Sequence, residues 1–461
     1  MSVATLDSNF TGELIRPADP GYDEARKLFN GMIDKRPALI ARCASAEDVR
    51  LALAHAREQG HIVAVRGGGH STAGHSCCDD GTVIDTSPMK GVEIDVEAST
   101  GRFGAGLTWG ELDAATQEHG LAVTGGRVTH TGVAGLTLGS GSGWIDRKCG
   151  ITCDNLISAE VVTADGRVVR ASADENADLF WGLKGGGGNF GVVTEFVFRL
   201  HPVGPTVFAG MIMHPRGTAG ALLRFYRDFM EQAPDEVCGG LALLTAPPEE
   251  FVPEEARGEP ACGMILVYVG DPARGEDALR PLLEWGEPWV KMVQPMPYAA
   301  VQQMIDAGNP WGINEYFKID YLAELPDEAI DAAVDKVAEV ESPFTQVIFA
   351  PLGGAVARAD RSTMALDLPD AKWFYFYLAM WWDPSQGDAE TARARAFMET
   401  MRPWGAGKAP PNFISADEGE ARLRASYGDE KFERLVALKD KYDPDNLFAL
   451  NQNIPPSMTP P

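Results

Sequence analysis

Long apolar runs are missing from this sequence. The longest fully apolar stretch, residues 373–382, has 10 residues, whereas a membrane-spanning helix needs about 20. Residues 1–7 contain neither a basic segment nor an apolar one and so do not resemble a signal peptide. We therefore expect a cytoplasmic protein that does not enter a membrane.

Cysteines and basic residues are also scarce. The 7 cysteines form no Cys-x-x-Cys pair and have no histidine at metal-ligand spacing, which argues against disulfides, structural zinc and any other metal site. Only 40 Lys and Arg residues stand against 66 Asp and Glu residues, a formal net charge of -26. Such a surface repels nucleic-acid phosphates and anionic lipids. We expect neither nucleic acid nor a membrane as a partner.

Glycine, in contrast, is abundant, at 50 of 461 residues against a usual share of about 7%. A chain of this length has room for two or three domains. A cluster of Pro and Gly at residues 201–205 indicates a boundary, after which strands alternate with amphipathic helices such as residues 328–340. The change of pattern predicts a second, α+β domain from about residue 206.

Two glycine clusters point to different structures. Gly186, Gly188 and Gly191 fit the dinucleotide fingerprint G-x-G-x-x-G, but the residues that follow predict a strand, where that fingerprint requires a helix. Residues 66–71, Arg-Gly-Gly-Gly-His-Ser, follow a predicted strand, and their successive N–H groups can form an anion-binding nest suited to a diphosphate. Alternatively, they form a glycine-rich turn in which His70 packs locally.

Several motifs occur together in a characteristic order. They are R-G-G-G-H-S at residues 66–71, T-G-V-A-G-L-T-L-G-S-G-S-G-W at 131–144, R-K-C-G-I-T-C-D-N-L at 147–156, L-F-W-G-L-K-G-G-G-G-N-F-G-V-V-T at 179–194, and K-Y-D-P-D-N-L-F with N-Q-N at 441–453. With these motifs the chain resembles, from about residue 35 to 454, the FAD-linked oxidases of the berberine-bridge-enzyme type. These belong to the vanillyl-alcohol-oxidase or PCMH-type superfamily, and the resemblance is to bacterial members like 6-hydroxy-D-nicotine oxidase.

The resemblance implies a two-domain α+β fold. The PCMH-type FAD-binding domain would comprise residues 1–204, to which residues 412–461 return. The substrate-binding domain, built on an antiparallel sheet, would comprise residues 205–411.

The resemblance also implies a covalent bond to FAD. In the family the histidine of R-G-G-G-H-S binds the 8α-methyl group of the flavin, and that residue is His70 here. Some members add a bond from a cysteine to flavin C6, but the matching position is Val128, so a single link is expected. Cys153 is expected to be a small buried residue near the flavin or, alternatively, an unusual second linker. The other residues expected to contact FAD are Arg66, Gly67, Gly68, Gly69, Ser71, Gly74, Ser76, Gly132, Gly135, Gly139, Gly143, Asn155, Gly191, Val193, Asn451 and Asn453.

The catalytic base is expected on the strand at residues 314–322. Alternate strand residues share a face, so Tyr316, Lys318 and Asp320 would face the flavin together, with Lys318 or Tyr316 as the base and Tyr321 as a further candidate. Alternatively, Lys318 is a solvated strand residue. The tyrosine that some members use as base, in a Tyr-x-Asn-Tyr segment, is missing, because Pro-Pro-Asn-Phe occupies residues 410–413.

Three other polar residues, Glu315, His130 and His201, are assigned only structural roles. The aromatic strand at residues 373–378 either packs in the core or lines the pocket with one of its sides.

The implied reaction removes a hydride from a small molecule and passes the electrons to O₂, which gives H₂O₂. Sugar-oxidising members of the family typically carry the double link, so Val128 favours a compact, secondary-metabolite-like alcohol, amine or phenol. Two alternatives stay open: a flavin dehydrogenase that uses an acceptor other than O₂, and a flavin-bound protein without catalysis. The sequence leaves the oligomeric state open, with a homodimer as one candidate.

Overall fold

The structure, a computed structural model, describes Leu6 and residues 9–458. Residues 1–5 and 7–8, which the signal-peptide prediction concerns, and residues 459–461 of the returning segment lie outside the described part. The strands are β1 (Glu13–Ile15), β2 (Leu39–Arg42), β3 (Val63–Arg66), β4 (Thr82–Asp85), β5 (Val92–Asp95), β6 (Thr100–Gly104), β7 (Leu121–Ala122), β8 (Leu156–Val162), β9 (Val168–Ser172), β10 (Val192–Arg199), β11 (His201–Pro202), β12 (Thr206–Pro215), β13 (Val237–Thr245), β14 (Pro260–Tyr268), β15 (Val290–Pro297), β16 (Asn314–Leu322), β17 (Gln346–Pro351) and β18 (Trp373–Trp381).

The α-helices of the described part are mostly short. They are α1 (Tyr22–Ala25), α2 (Ala46–Gln59), α3 (Trp109–Gln117), α4 (Val133–Gly139), α5 (Asp146–Cys149), α6 (Ala177–Leu183), α7 (Ala219–Gln232), α8 (Gly275–Leu283), α9 (Tyr298–Gln302), α10 (Asp327–Val337), α11 (Gly354–Arg358), α12 (Gly387–Met401), α13 (Gly419–Tyr427) and α14 (Asp429–Tyr442). None of them is long and apolar enough to cross a membrane.

The first half of the chain forms three small sheets. One has the order β1-β2-β4-β3, with β2, β4 and β3 parallel, and a second, antiparallel sheet has the order β5-β6-β10-β8-β9. Strands β7 and β11 form a short pair. Local signals place these elements: Ser45 caps α2, whose C-terminal residue is followed by Gly60 in the left-handed region, and a capping box at Thr108 starts α3. The expected strand after Gly191 is confirmed as β10.

Strands after residue 205 form one seven-stranded antiparallel sheet in the order β15-β12-β14-β13-β17-β18-β16. Helices α7, α8, α10 and α12 pack on one face of this sheet around a core that includes Tyr226, Tyr375 and Phe397. The opposite face looks toward the glycine-rich segments of the first half. The α+β, two-part architecture is confirmed, and the change from small sheets to one large sheet lies between β11 and β12.

The C-terminal segment returns to the first half through a buried ion pair. Lys439 Nζ lies 2.7 Å from Asp443 Oδ2, with both side chains fully buried, and also donates to the carbonyl oxygens of Asn189 and Phe448. Asn189 Oδ1 in turn accepts from the backbone N–H of Ile454. This network holds the C-terminal segment against the glycine-rich loop that precedes β10.

Candidate active site

A cavity of about 1100 Å³ lies between the large sheet and the glycine-rich segments of the first half. Its walls come from the loop after β3, from helix α4, from the cavity-facing side of the large sheet and from the C-terminal segment. The predicted contact residues that line it are Gly67, Gly68, Gly69, His70, Ser71, Ser76, Gly132, Gly135, Gly139, Gly191, Val193 and Asn451. The motifs of the sequence therefore converge on one site.

The loop after β3 presents unused backbone donors to this cavity. Residues 67–73 all line it, and none of their N–H groups donates a hydrogen bond to another described residue. Gly69 has a φ of 73°, a left-handed conformation that glycine adopts without strain. Consecutive free N–H groups of this kind bind anionic oxygens. The loop fits a diphosphate.

Arg66, expected to add a phosphate donor, does not line the cavity. Its guanidinium donates to Asp85 Oδ2 at 2.6 Å and to the carbonyl of Ala25, and the residue is only 7% exposed. The buried carboxylate holds the arginine on the sheet side of the loop. The expectation for Arg66 is therefore wrong, and its role is to fix the end of β3.

Four other predicted contact residues lie behind the cavity wall. Gly74 closes a turn, since its N–H donates to the Ser71 carbonyl, and a Cβ on Gly143 would lie 2.2 Å from the Gly125 carbonyl oxygen. The Asn155 amide nitrogen donates to the carbonyls of Cys149 and Ile151. Asn453 is outside the lining, although its Oδ1 is buried without a described partner. The backbone of Gly74 and Gly143 serves loop geometry and close packing, and the Asn155 side chain bonds to neighbouring carbonyls, so these residues do not line the cavity as expected.

Cys153 is also excluded from the cavity. It is fully buried, burial raises the pKa of its thiol to about 12, and it does not line the cavity. A thiol at such a pKa is protonated at neutral pH and is a poor nucleophile. Cys153 is thus a small buried core residue, as the first of the two expectations has it, and its thiol lies outside the cavity wall. Val128 does line the cavity.

His70 is held in one orientation at the cavity wall. Its ring stacks on Phe29 with centroids 4.2 Å apart and planes 13° apart. Its Nε2 lies 2.7 Å from His130 Nδ1, and His130 Nε2 lies 3.2 Å from the carbonyl oxygen of Asn309. Burial, together with His130, lowers the pKa of His70 to about 3. The imidazole is therefore neutral at physiological pH.

Strand β16 was expected to carry the base. The face of β16 that meets the cavity is the one opposite Tyr316 and Lys318. Tyr316 and Lys318 share a face as predicted, but that face points to Asp417: the Tyr316 hydroxyl donates to Asp417 Oδ2 at 2.7 Å, and Lys318 Nζ lies 3.2 Å from Asp417 Oδ1. Neither residue lines the cavity. Their expected role as base is wrong, because the face opposite the cavity is covered by α12 and the segment that contains Asp417. Tyr321, the further candidate on the other face of β16, does line the cavity, and burial raises its pKa.

Glu315, assigned only a structural role from the sequence, is the carboxyl group on the cavity side of β16. The residue is 5% exposed, lines the cavity, and its carboxylate has no hydrogen bond or ion pair with a described residue. Its backbone is fixed by Asn30, which donates to the Glu315 carbonyl at 3.0 Å and accepts from the Glu315 N–H. Burial raises the pKa of Glu315 to about 8. The alternation of β16 was visible in the sequence, but the sequence did not show which face meets the cavity.

Aromatic rings form the wall beside Glu315. Phe317 stacks on Phe376 at 5.2 Å and on Phe413 at 5.0 Å between ring centroids, and Phe376 stacks on Phe374 at 5.8 Å. Phe374 and Phe376 line the cavity, whereas Tyr375 and Tyr377 of the same strand pack on α12. The sequence offered two interpretations of this strand, pocket lining and core packing. The face with Phe374 and Phe376 follows the first, and the face with Tyr375 and Tyr377 follows the second. Phe413 stands in the segment where some family members have the tyrosine base.

The residues present fit an FAD molecule. Besides the free N–H groups of residues 67–73, five buried polar atoms of cavity-lining residues have no partner among the described residues: Thr72 Oγ1, His75 Nδ1, Trp144 Nε1, Asn412 Oδ1 and Asn451 Oδ1. Buried polar atoms are rarely left unpaired, and a ligand rich in hydroxyl, amide and phosphate groups supplies partners for them. In the described part no cluster of His, Cys, Asp or Glu side chains is arranged to hold a metal ion.

Comparisons with known proteins agree with this site. Residues 37–172 match the family model of an FAD binding domain, and residues 411–455 match the model described as berberine and berberine like. The chain is 30% identical over 465 residues to (R)-6-hydroxynicotine oxidase of Paenarthrobacter nicotinovorans, with 96% of this chain and 97% of the relative covered. It is 28% identical over 454 residues to an FAD-linked oxidoreductase of Dictyostelium discoideum, covering 96% and 95% of the two chains.

The fold has a solved counterpart. The crystal structure of 6-hydroxy-D-nicotine oxidase from Arthrobacter nicotinovorans superposes with a TM-score of 0.87 at 26% identity, covering 98% of this chain and 99% of that one. Three findings lead to one assignment: the glycine-rich walls of the cavity, the two domain matches, and a relative of 30% identity over nearly the full length. The chain belongs to the berberine-bridge-enzyme type of FAD-linked oxidoreductases.

Proposed function

We propose that the protein is an oxidase that holds FAD through one covalent bond, from His70, and oxidises a small alcohol, amine or phenol with O₂ as electron acceptor. The observation that carries this proposal is the position of His70 and Glu315 on the same cavity, one on the glycine-rich wall and the other on the wall of the large sheet. The cavity thus combines glycine-rich segments that can hold a cofactor with a buried carboxyl group, Glu315, that can accept a proton. The proposed domains are residues 1–204 with 412–461, and residues 205–411.

The positions of the cysteines favour a single covalent bond between the protein and FAD. All 7 are buried, and none of them lines the cavity. Val128 stands where a second linker would be expected and offers no thiol. His70, with a neutral ring on the cavity wall, is the residue suited to the bond.

The residues of the chain divide the reaction between them. Bound FAD supplies the hydride acceptor at its N5 position. Residues 67–73 and Asn451 hold the cofactor with backbone N–H groups and an amide. Glu315 accepts the proton that leaves the substrate oxygen or nitrogen, and its raised pKa places it close to the pH at which general bases work best.

The aromatic wall sets the substrate class. The rings of Phe317, Phe374, Phe376 and Phe413 orient a compact apolar body beside Glu315 and exclude water from it. They offer few hydrogen-bond partners to a polyhydroxylated sugar. The relative of 30% identity, named as an oxidase of 6-hydroxynicotine, supports a small substrate.

The test has three measurements on the purified holoenzyme. Acid precipitation followed by peptide mapping should locate flavin on the peptide with His70 alone. A panel of alcohols, amines, phenols and oligosaccharides, mixed anaerobically with the enzyme, should bleach the flavin absorbance with members of the first three groups. Stopped-flow mixing of the reduced enzyme with air should then restore the absorbance and release H₂O₂.

Each alternative predicts a different result. Reoxidation that is slow in air and fast with a quinone or dye would make the protein a dehydrogenase. Reduction by oligosaccharides alone would overturn the substrate class. A flavin that no compound of the panel reduces, while dithionite reduces it, would favour a binding protein without catalysis.

A further inference from the structure

A chain of hydrogen bonds fixes the tautomer of His70. The carbonyl oxygen of Asn309 can only accept, so the His130 Nε2 at 3.2 Å carries the proton of that ring. The neutral ring then presents a lone pair at Nδ1, and the His70 Nε2 at 2.7 Å is the donor to it. The remaining nitrogen, His70 Nδ1, keeps its lone pair and has no hydrogen bond with a described residue. His70 lines the cavity, and Nδ1 is the nitrogen of its ring that is left to act as a nucleophile.

Packing holds the ring in place for this role. Phe29 stacks on one side of His70, and the Trp311 ring meets its edge at 5.7 Å between centroids. The backbone N–H of Phe29 donates to the carbonyl of Gly69, next to His70 in the chain. Rotation of the imidazole would break both the stacking and the hydrogen bond to His130.

We propose that His130 is the positioning residue for covalent flavin attachment, that it accepts the Nε2 proton of His70, and that the bond to flavin forms at His70 Nδ1. The inference rests on the proposed function, because it assumes that His70 carries the link. His130 acts through His70 and needs no contact with the cofactor.

The step balances as follows. A bond forms between His70 Nδ1 and C8α of the flavin, and one C8α–H bond breaks. The Nε2 proton of His70 moves to His130 Nδ1, so the alkylated imidazole stays neutral. The two electrons of the broken C–H bond reduce the flavin ring, and dioxygen then takes these electrons and the two released protons as H₂O₂.

The surroundings of His130 accommodate the added proton. Burial lowers the pKa of His130, whereas the Asp306 carboxylate and the hydrogen bond to the Asn309 carbonyl oppose that shift. Asp306 is fixed close by, since it accepts from the Thr129 N–H at 2.9 Å and from the Thr129 hydroxyl at 2.5 Å. Other than Asp306, the titratable group that faces His130 is His70 itself. Once it is protonated, the His130 ring is stabilised by the Asp306 carboxylate and the Asn309 carbonyl. Before the transfer the His130 ring is neutral and can accept a proton.

The experiment measures attachment separately from binding. Full-length apoprotein from riboflavin-starved cells is mixed with FAD, and acid-stable flavin is followed over time for the wild type, His130→Ala and the exposed-site control His119→Ala. We expect His130→Ala to retain FAD on gel filtration but to attach it at least about 100-fold more slowly, the usual range for loss of a general base. The control should match the wild type.

Two further readouts separate proton transfer from a structural effect. Added imidazole should restore attachment in His130→Ala, and the wild-type rate should fall at acid pH, where His130 is protonated, while the slow rate of His130→Ala should not. NMR of the isolated histidyl-flavin should show the bond at Nδ1.

The outcomes distinguish the two proposals. Attachment in His130→Ala at the wild-type rate, or a bond at Nε2 in the wild type, would overturn the role of His130. Slow attachment that imidazole does not restore would also count against proton transfer. A wild type that binds FAD only non-covalently would instead refute the covalent part of the proposed function, and one that binds none would refute that function altogether.

Discussion

Gly68 and Gly132 meet backbone to backbone, so that a Cβ on either residue would lie 2.3 Å from the backbone nitrogen of the other. The contact joins the loop after β3 to the start of α4, and residues of both segments line the cavity. The two glycine-rich motifs therefore form one rigid cradle.

Replacement of Gly132 by Ala should disrupt this cradle. Because the added methyl group meets backbone rather than a movable side chain, we expect a loss of about 1–3 kcal/mol in the free energy of unfolding and a lower FAD content. Thermal unfolding and flavin absorbance measure both. Gly91→Ala is the matched control, since nothing lies within 4 Å of its added Cβ; equal effects of the two substitutions would contradict the explanation.

Glu315→Gln should slow substrate oxidation. The amide keeps the shape of the side chain but cannot accept a proton, so the rate of anaerobic flavin reduction should fall by roughly 10²–10⁴-fold. In the wild type this rate should rise with pH through a pKa near 8, and the variant should lose that dependence. Tyr316→Phe on the opposite face of β16 is the control, and a greater loss there than in Glu315→Gln would restore the base expected from the sequence.

The same carboxyl group should make stability depend on pH. The pKa of Glu315 is raised from its ordinary value of 4.5 to about 8 in the folded state, so the folded state favours the protonated form. Its contribution to stability is complete below 4.5 and is lost as the pH rises toward and beyond 8. Between about pH 6 and pH 9, the melting temperature of the wild type should fall relative to that of Glu315→Gln; parallel pH profiles of the two proteins would show that Glu315 ionises normally.

Lys439→Met should destabilise the C-terminal segment. Removing one partner of a buried ion pair leaves an unpaired charge on Asp443 and costs about 3–5 kcal/mol. Lys441→Met provides the comparison, because Lys441 pairs with Asp178 at the surface, where such a pair contributes about 0–1 kcal/mol. Urea unfolding of the two variants should therefore differ widely, and similar midpoints would argue that the buried network is not needed to hold this segment.

Cys153→Ala should leave covalent flavin unchanged. The thiol lies outside the cavity, so acid-stable flavin per protein and the mass of the His70 peptide should match those of the wild type. A loss of covalent flavin in this variant, with folding intact, would revive the second link.

Local patterns predicted much of the fold. The strand after Gly191 and the free N–H groups of the loop after β3 depend on neighbouring residues, and both are observed; the N-cap at Ser45 and the capping box at Thr108 are local in the same way. The family motifs likewise predicted that the glycine-rich segments would meet at one cavity.

The errors concern contacts between residues far apart in the chain. Arg66 looked free to bind phosphate because nothing nearby shows its pairing with Asp85, a residue of the neighbouring parallel strand. The period of β16 showed which residues share a face, but helix packing decides which face is covered, and that packing leaves Glu315 rather than Lys318 on the cavity. His130 lies 60 residues from His70, and no sequence spacing indicates their hydrogen bond.

The two faces of strand β18 serve different purposes. Phe374, Phe376 and Leu378 shape the cavity, while Tyr375 and Tyr377, between them in the chain, pack against the helical layer. Substitutions on the first set can therefore alter which molecules enter without loosening the packing that the second set provides. The specificity of the cavity and the stability of the scaffold can therefore be engineered separately, at alternate positions of a single strand.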